Sequence, residues 1–171
     1  MIGFRFTRHS PMSTAQPLRP RIVGKTKLNL SLVASQYNLP YVQGLVAAVE
    51  EEMSTISAGA RMNIVWVPGA FEIPLLTKLI LSQEKPDVVI ALGVLIQGET
   101  AHALLVAQSV TTALQNLAVE FSTPIINEVL LLENEEQARV RCLGDEINRG
   151  TEAARAAVAV AHAVRETLKP R

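Results

Sequence analysis

The sequence predicts a single α/β domain, a three-layer sandwich in which a central four-stranded parallel sheet is flanked by helices. Three observations predict it. Stretches with strand character alternate along the chain with stretches of helical spacing, the pattern of repeated strand–helix units joined by right-handed crossovers. The run Val88–Ile96 is apolar with no period-two alternation, broken only by Gly93, as expected of a strand covered on both faces. Polar residues then crowd in at once (Gln97, Gly98, Glu99, Thr100 and His102) at a strand-to-helix junction, where open α/β sheets place their ligands.

Composition sets the bounds. A chain of 171 residues suits one domain with its own core. The hydrophobic fraction is 49% but only 4% of residues are aromatic, so that core is aliphatic and rich in alanine. A mean hydropathy of +0.24 is high for a lone soluble subunit. No segment reaches the roughly 18 uninterrupted apolar residues of a spanning helix, so subunit contacts are expected to absorb the surplus. Sixteen basic residues balance sixteen acidic ones, which gives no electrostatic footprint for nucleic acid or a membrane surface. The single cysteine, Cys142, has no internal disulfide partner and fits a reducing, cytoplasmic setting. His9, His102 and His162 are too scattered to hold a metal.

Residues 1–21 form a basic, proline-containing tail with Arg5, Arg8, Arg19 and Arg21 and no acid; the domain proper is assigned to 22–171. The tail resembles an organellar transit peptide, although Pro11, Pro17 and Pro20 oppose an amphipathic helix, and a disordered tail is the plainer alternative. Leu28–Val33 alternates as a strand, and Pro40 then opens a helix carrying Leu45, Val46, Val49 and Met53 at helical spacing. Ile64–Val67 reads as the second strand and Phe71–Ser82 as the second helix, with Pro74 in its first turn. After Val88–Ile96, a helix from about Ala101 to Glu120 takes Thr100 as its N-cap; it is apolar nearly all round and is expected to be buried, partly in an interface. Ile125–Leu132 is the fourth strand. Asn134 and Gln137 have the form of a capping box for a short helix ending near Gly144, and a last alanine-rich helix spans about Thr151 to Leu168.

Three junctions follow successive strands: Tyr37-Asn38, Gly69-Ala70-Phe71-Glu72, and Gly98 to His102. A parallel sheet puts them on one edge. Two of the chain's seven aromatics, Tyr37 and Phe71, fall there, placed to stack on a planar heterocycle or to plug the sheet's open end. Glu72 has the dipole of its helix for company and is a candidate acceptor for ligand hydroxyls. Thr100 and the free N–H groups beyond it make an anion site. His102, in that same turn, carries the side chain best suited to proton transfer near neutral pH. Arg141 and Arg149 flank the Gly144 break; arginine grips phosphate bidentately, but surface arginines are plentiful and a structural role is the plainer reading of either alone.

These residues carry a resemblance. The segments WVPGAFEIP (Trp66–Pro74), ALGVLIQGETAH (Ala91–His102), ENEEQA (Glu133–Ala138) and NRGTEAA (Asn148–Ala154) resemble the lumazine synthase family, in order and spacing, over about Ile22 to Leu168. The resemblance implies a flavodoxin-like fold and the penultimate step of riboflavin biosynthesis. In that step, 5-amino-6-(D-ribitylamino)uracil condenses with 3,4-dihydroxy-2-butanone 4-phosphate, releasing phosphate and water, with no metal or organic cofactor. By position it makes Tyr37 the aromatic that stacks on the pyrimidine. Ala70, Phe71 and Glu72 become the loop that holds the ribityl chain and ring. Val94, Leu95 and Ile96 would read the pyrimidine edge with their backbone. Glu99 and Thr100 would meet the butanone phosphate, which Arg141 clamps. His102 would transfer protons, and Arg149 stands near the ring where a lysine is usual.

The sequence also departs from the family pattern. Asn127-Glu128 replaces an aromatic–glycine pair whose ring commonly stacks on the pyrimidine of a neighbouring subunit; Asn127 can hydrogen-bond but cannot replace the stacking, and Glu128 needs a partner if buried. Ala103-Leu104-Leu105 replaces aromatic residues, and Gln97 an arginine. The resemblance further implies a homopentamer, open to closure into an icosahedral shell of 60 subunits, since the segment between Arg141 and Arg149 lacks the insertion of pentamer-only relatives. A link to riboflavin synthase belongs to the same expectation. The alternative is a shell-forming homologue with weak or no turnover that binds flavin-like ligands.

Overall fold

A computed structural model describes residues 27–169; the expected tail at 1–21 and the start of the domain at 22–26 lie outside the described residues. The chain runs β1 (Asn29–Ser35), α1 (Leu39–Ile56), β2 (Arg61–Val67), a 3₁₀ turn (Ala70–Glu72), α2 (Ile73–Gln83), β3 (Val88–Ile96), α3 (His102–Phe121), β4 (Ile125–Leu132), α4 (Glu135–Leu143) and α5 (Arg149–Thr167). The four strands form one parallel sheet in the order β2-β1-β3-β4, so the three-layer α/β architecture holds.

Side-chain parity along the strands builds two core layers. Leu30, Leu32 and Ala34 of β1 and Val88, Ile90, Leu92 and Val94 of β3 pack with α1, α4 and α5. Val33, Val89 and Ala91 point the other way, onto α2 and α3. Within the alternation Leu-Asn-Leu-Ser-Leu-Val, Ser31 is buried, and so is Ser35 at the strand's end. Small serines fit beneath a helix layer.

Several boundaries moved for identifiable reasons. β2 begins at Arg61, since Asn29 to Ser35 of β1 pair with Arg61 to Val67 along their whole length. Pro74 has no N–H to donate, and the segment before it tightens into the 3₁₀ turn before α2 begins. α5 starts at Arg149 because Asn148 caps it, its side chain accepting from the Gly150 N–H at 2.9 Å while its Nδ2 donates to the Cys142 and Gly144 carbonyls. α4 is capped as expected by Asn134, but Gln137 reaches back to the Glu133 N–H rather than to that of Asn134. Thr100 is not the cap of α3: Ala101 holds that position and makes no side-chain bond, while the Thr100 hydroxyl only grazes the His102 N–H at 3.5 Å. Nor is α3 wholly buried within the chain; Ala103, Val110, Leu114 and Leu117 face the sheet, and Leu105 is 61% exposed.

Candidate functional site

The sheet's carboxyl edge opens into a cleft of about 460 Å³ lined by residues of all three junctions. Tyr37 and Asn38 come from the end of β1, Gly69 to Glu72 from the end of β2, Val94 to Ile96 from β3 itself, and His102, Ala103 and Val106 from α3. Tyr37 and Phe71 are 73% and 63% exposed, large for aromatics, because no described residue covers their rings at the mouth. Polar groups are few and fixed. The Glu72 carboxylate turns back to accept from the Gly69 N–H at 2.9 Å, which holds the loop between Phe71 and β2. Asn38 donates its Nδ2 to the Val94 carbonyl at 2.8 Å and joins the first junction to the third.

Of the thirteen site residues expected from the sequence, eight line this cleft: Tyr37, Ala70, Phe71, Glu72, Val94, Leu95, Ile96 and His102. Glu99 and Thr100 lie on the exposed loop leading into His102. Asn127, Arg141 and Arg149 do not line it. Asn127 sits on β4 opposite Ala91 and donates its Nδ2 to the Thr111 hydroxyl of α3 at 3.1 Å, its Oδ1 accepting from Val129. Arg141 closes the last turn of α4, beside a small depression formed with Gln137, Val140 and Ile147. Arg149 opens α5 and pairs with Glu152.

Asn38 was legible only as a turn residue; its left-handed backbone and its bond to Val94 give it a second role in shaping the cleft. Glu128, on β4, is largely buried. Desolvation raises its carboxyl from 4.5 to about 7, the Arg149 guanidinium opposes that rise and Glu152 adds to it. Cys142 is buried and its thiol is pushed up to about 12 by desolvation first and by Glu128 second, which makes it inert as a nucleophile.

A second cleft of about 320 Å³, between α1 and the start of α5, is lined by Glu51, Asp145 and the Arg155–Glu52 ion pair at 2.9 Å. It offers no ring to stack on. Among the described residues no group of three His, Cys, Asp or Glu side chains could hold a metal ion, and no helix is long and apolar enough to cross a membrane.

A parallel α/β domain with an aromatic-rimmed cleft outside the carboxyl ends of its strands is the architecture of a small-molecule site. Residues 27–165 match the family model of 6,7-dimethyl-8-ribityllumazine synthase. A protein of that name from Coxiella burnetii is 36% identical over 143 residues, covering 83% of this chain and 95% of its own. One from Burkholderia multivorans is 39% identical over 136 residues, covering 79% and 77%. Among solved structures, a GDP-L-fucose synthetase from Naegleria fowleri aligns over 93% of this chain and 49% of its own, with a TM-score of 0.37 and 12% identity, too remote to bear on the site. The chain belongs to the 6,7-dimethyl-8-ribityllumazine synthase family.

Proposed function

We propose that this protein is the enzyme its family name denotes, a transferase of riboflavin biosynthesis that joins 5-amino-6-(D-ribitylamino)uracil to 3,4-dihydroxy-2-butanone 4-phosphate. The observation that carries the reading is the one cleft gathering Tyr37, Phe71, Glu72, the end of β3 and His102. The flat pyrimidine stacks between the aromatic rims, and Glu72 accepts from ribityl hydroxyls. The phosphate is held at the start of α3, near Glu99 and Thr100, where free N–H groups favour an anion. His102 then stands between the amine and the phosphate. It takes a proton as the amine attacks the butanone carbonyl and returns one as water and phosphate leave. Much of the rate comes from holding two substrates together.

The same reading makes the site composite. Asn127, Arg141 and Arg149 serve the cleft of an adjacent subunit in a homopentamer, Arg141 clamping its phosphate and Arg149 and Asn127 meeting its ring. Exposed Leu75 and Leu79 on α2 and Leu104 and Leu105 on α3 supply an apolar surface for that contact. The short connection from Arg141 to Arg149 is compatible with closure into a 60-subunit shell, and a partnership with riboflavin synthase follows from the product. The lone buried cysteine suits a cytoplasmic setting. The direct test mixes both substrates with the protein and follows lumazine fluorescence and inorganic phosphate. Equimolar appearance of the two supports the reading; a folded protein that yields neither overturns it.

A further inference from the structure

Gly69 lines the cleft at the start of the turn that carries Phe71 and Glu72. Its backbone is extended, φ −137° and ψ 174°, a conformation open to any residue, so the turn itself does not call for glycine. The space around its Cα does. A Cβ built there would lie 3.0 Å from Oε2 of Glu72 and 3.6 Å from Cδ2 of Tyr37. The second distance is an ordinary contact and the first is too short, so a methyl would rest against the ring and displace the carboxylate. The Gly69 N–H donates to that same Oε2 at 2.9 Å, and no described residue donates to Oε1. The two oxygens of a carboxylate are rigidly coupled, so fixing one aims the other. Past the strand ends, Gln36 donates its N–H to the Val67 carbonyl at 2.8 Å and Tyr37 donates to that of Pro68 at 3.2 Å, which holds the Tyr37 junction alongside Gly69.

We propose that Gly69 is a positioning residue that sets specificity for a polyhydroxylated substituent on the stacked ring. The inference deepens the reading above, from which the ring against Tyr37 and the ribityl hydroxyls on Glu72 are taken. The bare Cα lets the carboxylate close down on the Gly69 N–H, which commits Oε2 to the loop and leaves Oε1 to accept from a hydroxyl. Ring and acceptor flank this one Cα, which fixes the reach from the stacked ring to the hydroxyl it selects. A methyl at position 69 pushes Oε2 away by a few tenths of an ångström, bends its bond to the N–H and swings Oε1 off its line. The Tyr37 ring, in ordinary contact, stays where it is.

Gly69→Ala, Glu72→Ala and the double variant test this. Calorimetry compares their binding of 5-amino-6-(D-ribitylamino)uracil with that of 5,6-diaminouracil, which has the ring without the chain. Gly69→Ala is expected to keep the wild-type urea midpoint, since among the described residues its one short contact is with the far end of a flexible side chain. It should weaken the ribityl ligand roughly three- to thirtyfold, part of what a charge-assisted hydrogen bond contributes, and leave diaminouracil binding unchanged. In turnover the loss should appear in KM for the same substrate with kcat little changed. On the Glu72→Ala background the glycine substitution should add nothing, because the carboxylate it acts through is gone. Equal weakening of both pyrimidines, additive losses in the double variant, unchanged ribityl affinity in Gly69→Ala, or a Gly69→Ala chain that does not fold overturns the proposal. If Glu72→Ala binds the ribityl ligand as the wild type does, or the wild type binds neither pyrimidine, the reading above fails and this inference with it.

Discussion

Asn38 donates its side-chain amide to the Val94 carbonyl at 2.8 Å from a left-handed backbone, φ 55° and ψ 40°. Few residues other than glycine tolerate that conformation, and asparagine is among them. The bond spans the cleft, fixing Tyr37 at a set distance from the end of β3. Asn38→Ala is therefore expected to lose about 1–2 kcal/mol in urea unfolding, from backbone strain plus the lost hydrogen bond, and to raise the KM for the pyrimidine substrate. Asn38→Gly should be the milder change in stability, since it removes only the bond. An alanine variant as stable as the wild type would remove the proposed bracing role.

Among the described residues, His102 is the one imidazole lining the cleft. Replacing it with alanine should lower kcat by no more than about 10²–10⁴-fold, the range of general acid–base catalysis, because positioning of the two substrates survives. Rapid-mixing fluorescence would measure the chemical step. An unchanged rate would exclude His102 from proton transfer.

The sheet was legible where physics leaves one solution. Nine consecutive residues of β3 have no polar side chain, and only burial on both faces accommodates that. The convergence of Tyr37, Phe71 and His102 followed from parallel topology, which puts successive strand ends on one edge. Helix starts were harder to place. Thr100 looked like a cap because its hydroxyl suits one, but the turn through Ala101 carries it past the helix N–H groups. The role of Asn38 was hidden because its partner, Val94, is 56 residues away and the bond uses a backbone atom. The apolar surround of α3 exceeds what one chain buries, as its periodicity led one to expect, and leaves Leu104 and Leu105 exposed. Asn127, Arg141 and Arg149, named from the sequence, lie outside the cleft of their own chain.

Gly150 lies where α5 packs tightly on α1. A Cβ there would lie 2.3 Å from the Leu45 carbonyl oxygen and 2.9 Å from the Ala48 Cβ, the first a backbone atom that cannot swing aside. Gly150→Ala should cost about 1–3 kcal/mol as the helices separate, visible as a lower urea midpoint. An unshifted midpoint would contradict the described crossing.

Glu128 also ties stability to pH. Its carboxyl keeps a proton up to about 7 in the folded chain but only to 4.5 when unfolded. Between those values the folded state binds more protons, so stability falls as pH rises from 4.5 through 7. The loss should reach up to about 3 kcal/mol, and Glu128→Gln should remove it. Chemical denaturation of both proteins at pH 5 and 7.5 would show the difference, and equal pH slopes would mean that Glu128 is not desolvated.

A crystal structure of the protein soaked with 5-amino-6-(D-ribitylamino)uracil tests the proposed ligand pose most directly. The expected density places the ring between Tyr37 and Phe71, against the backbone of Val94 to Ile96, with the ribityl chain reaching Glu72. A ring found in the polar cleft beside Arg155, or a carboxyl edge left empty at saturating ligand, would contradict it.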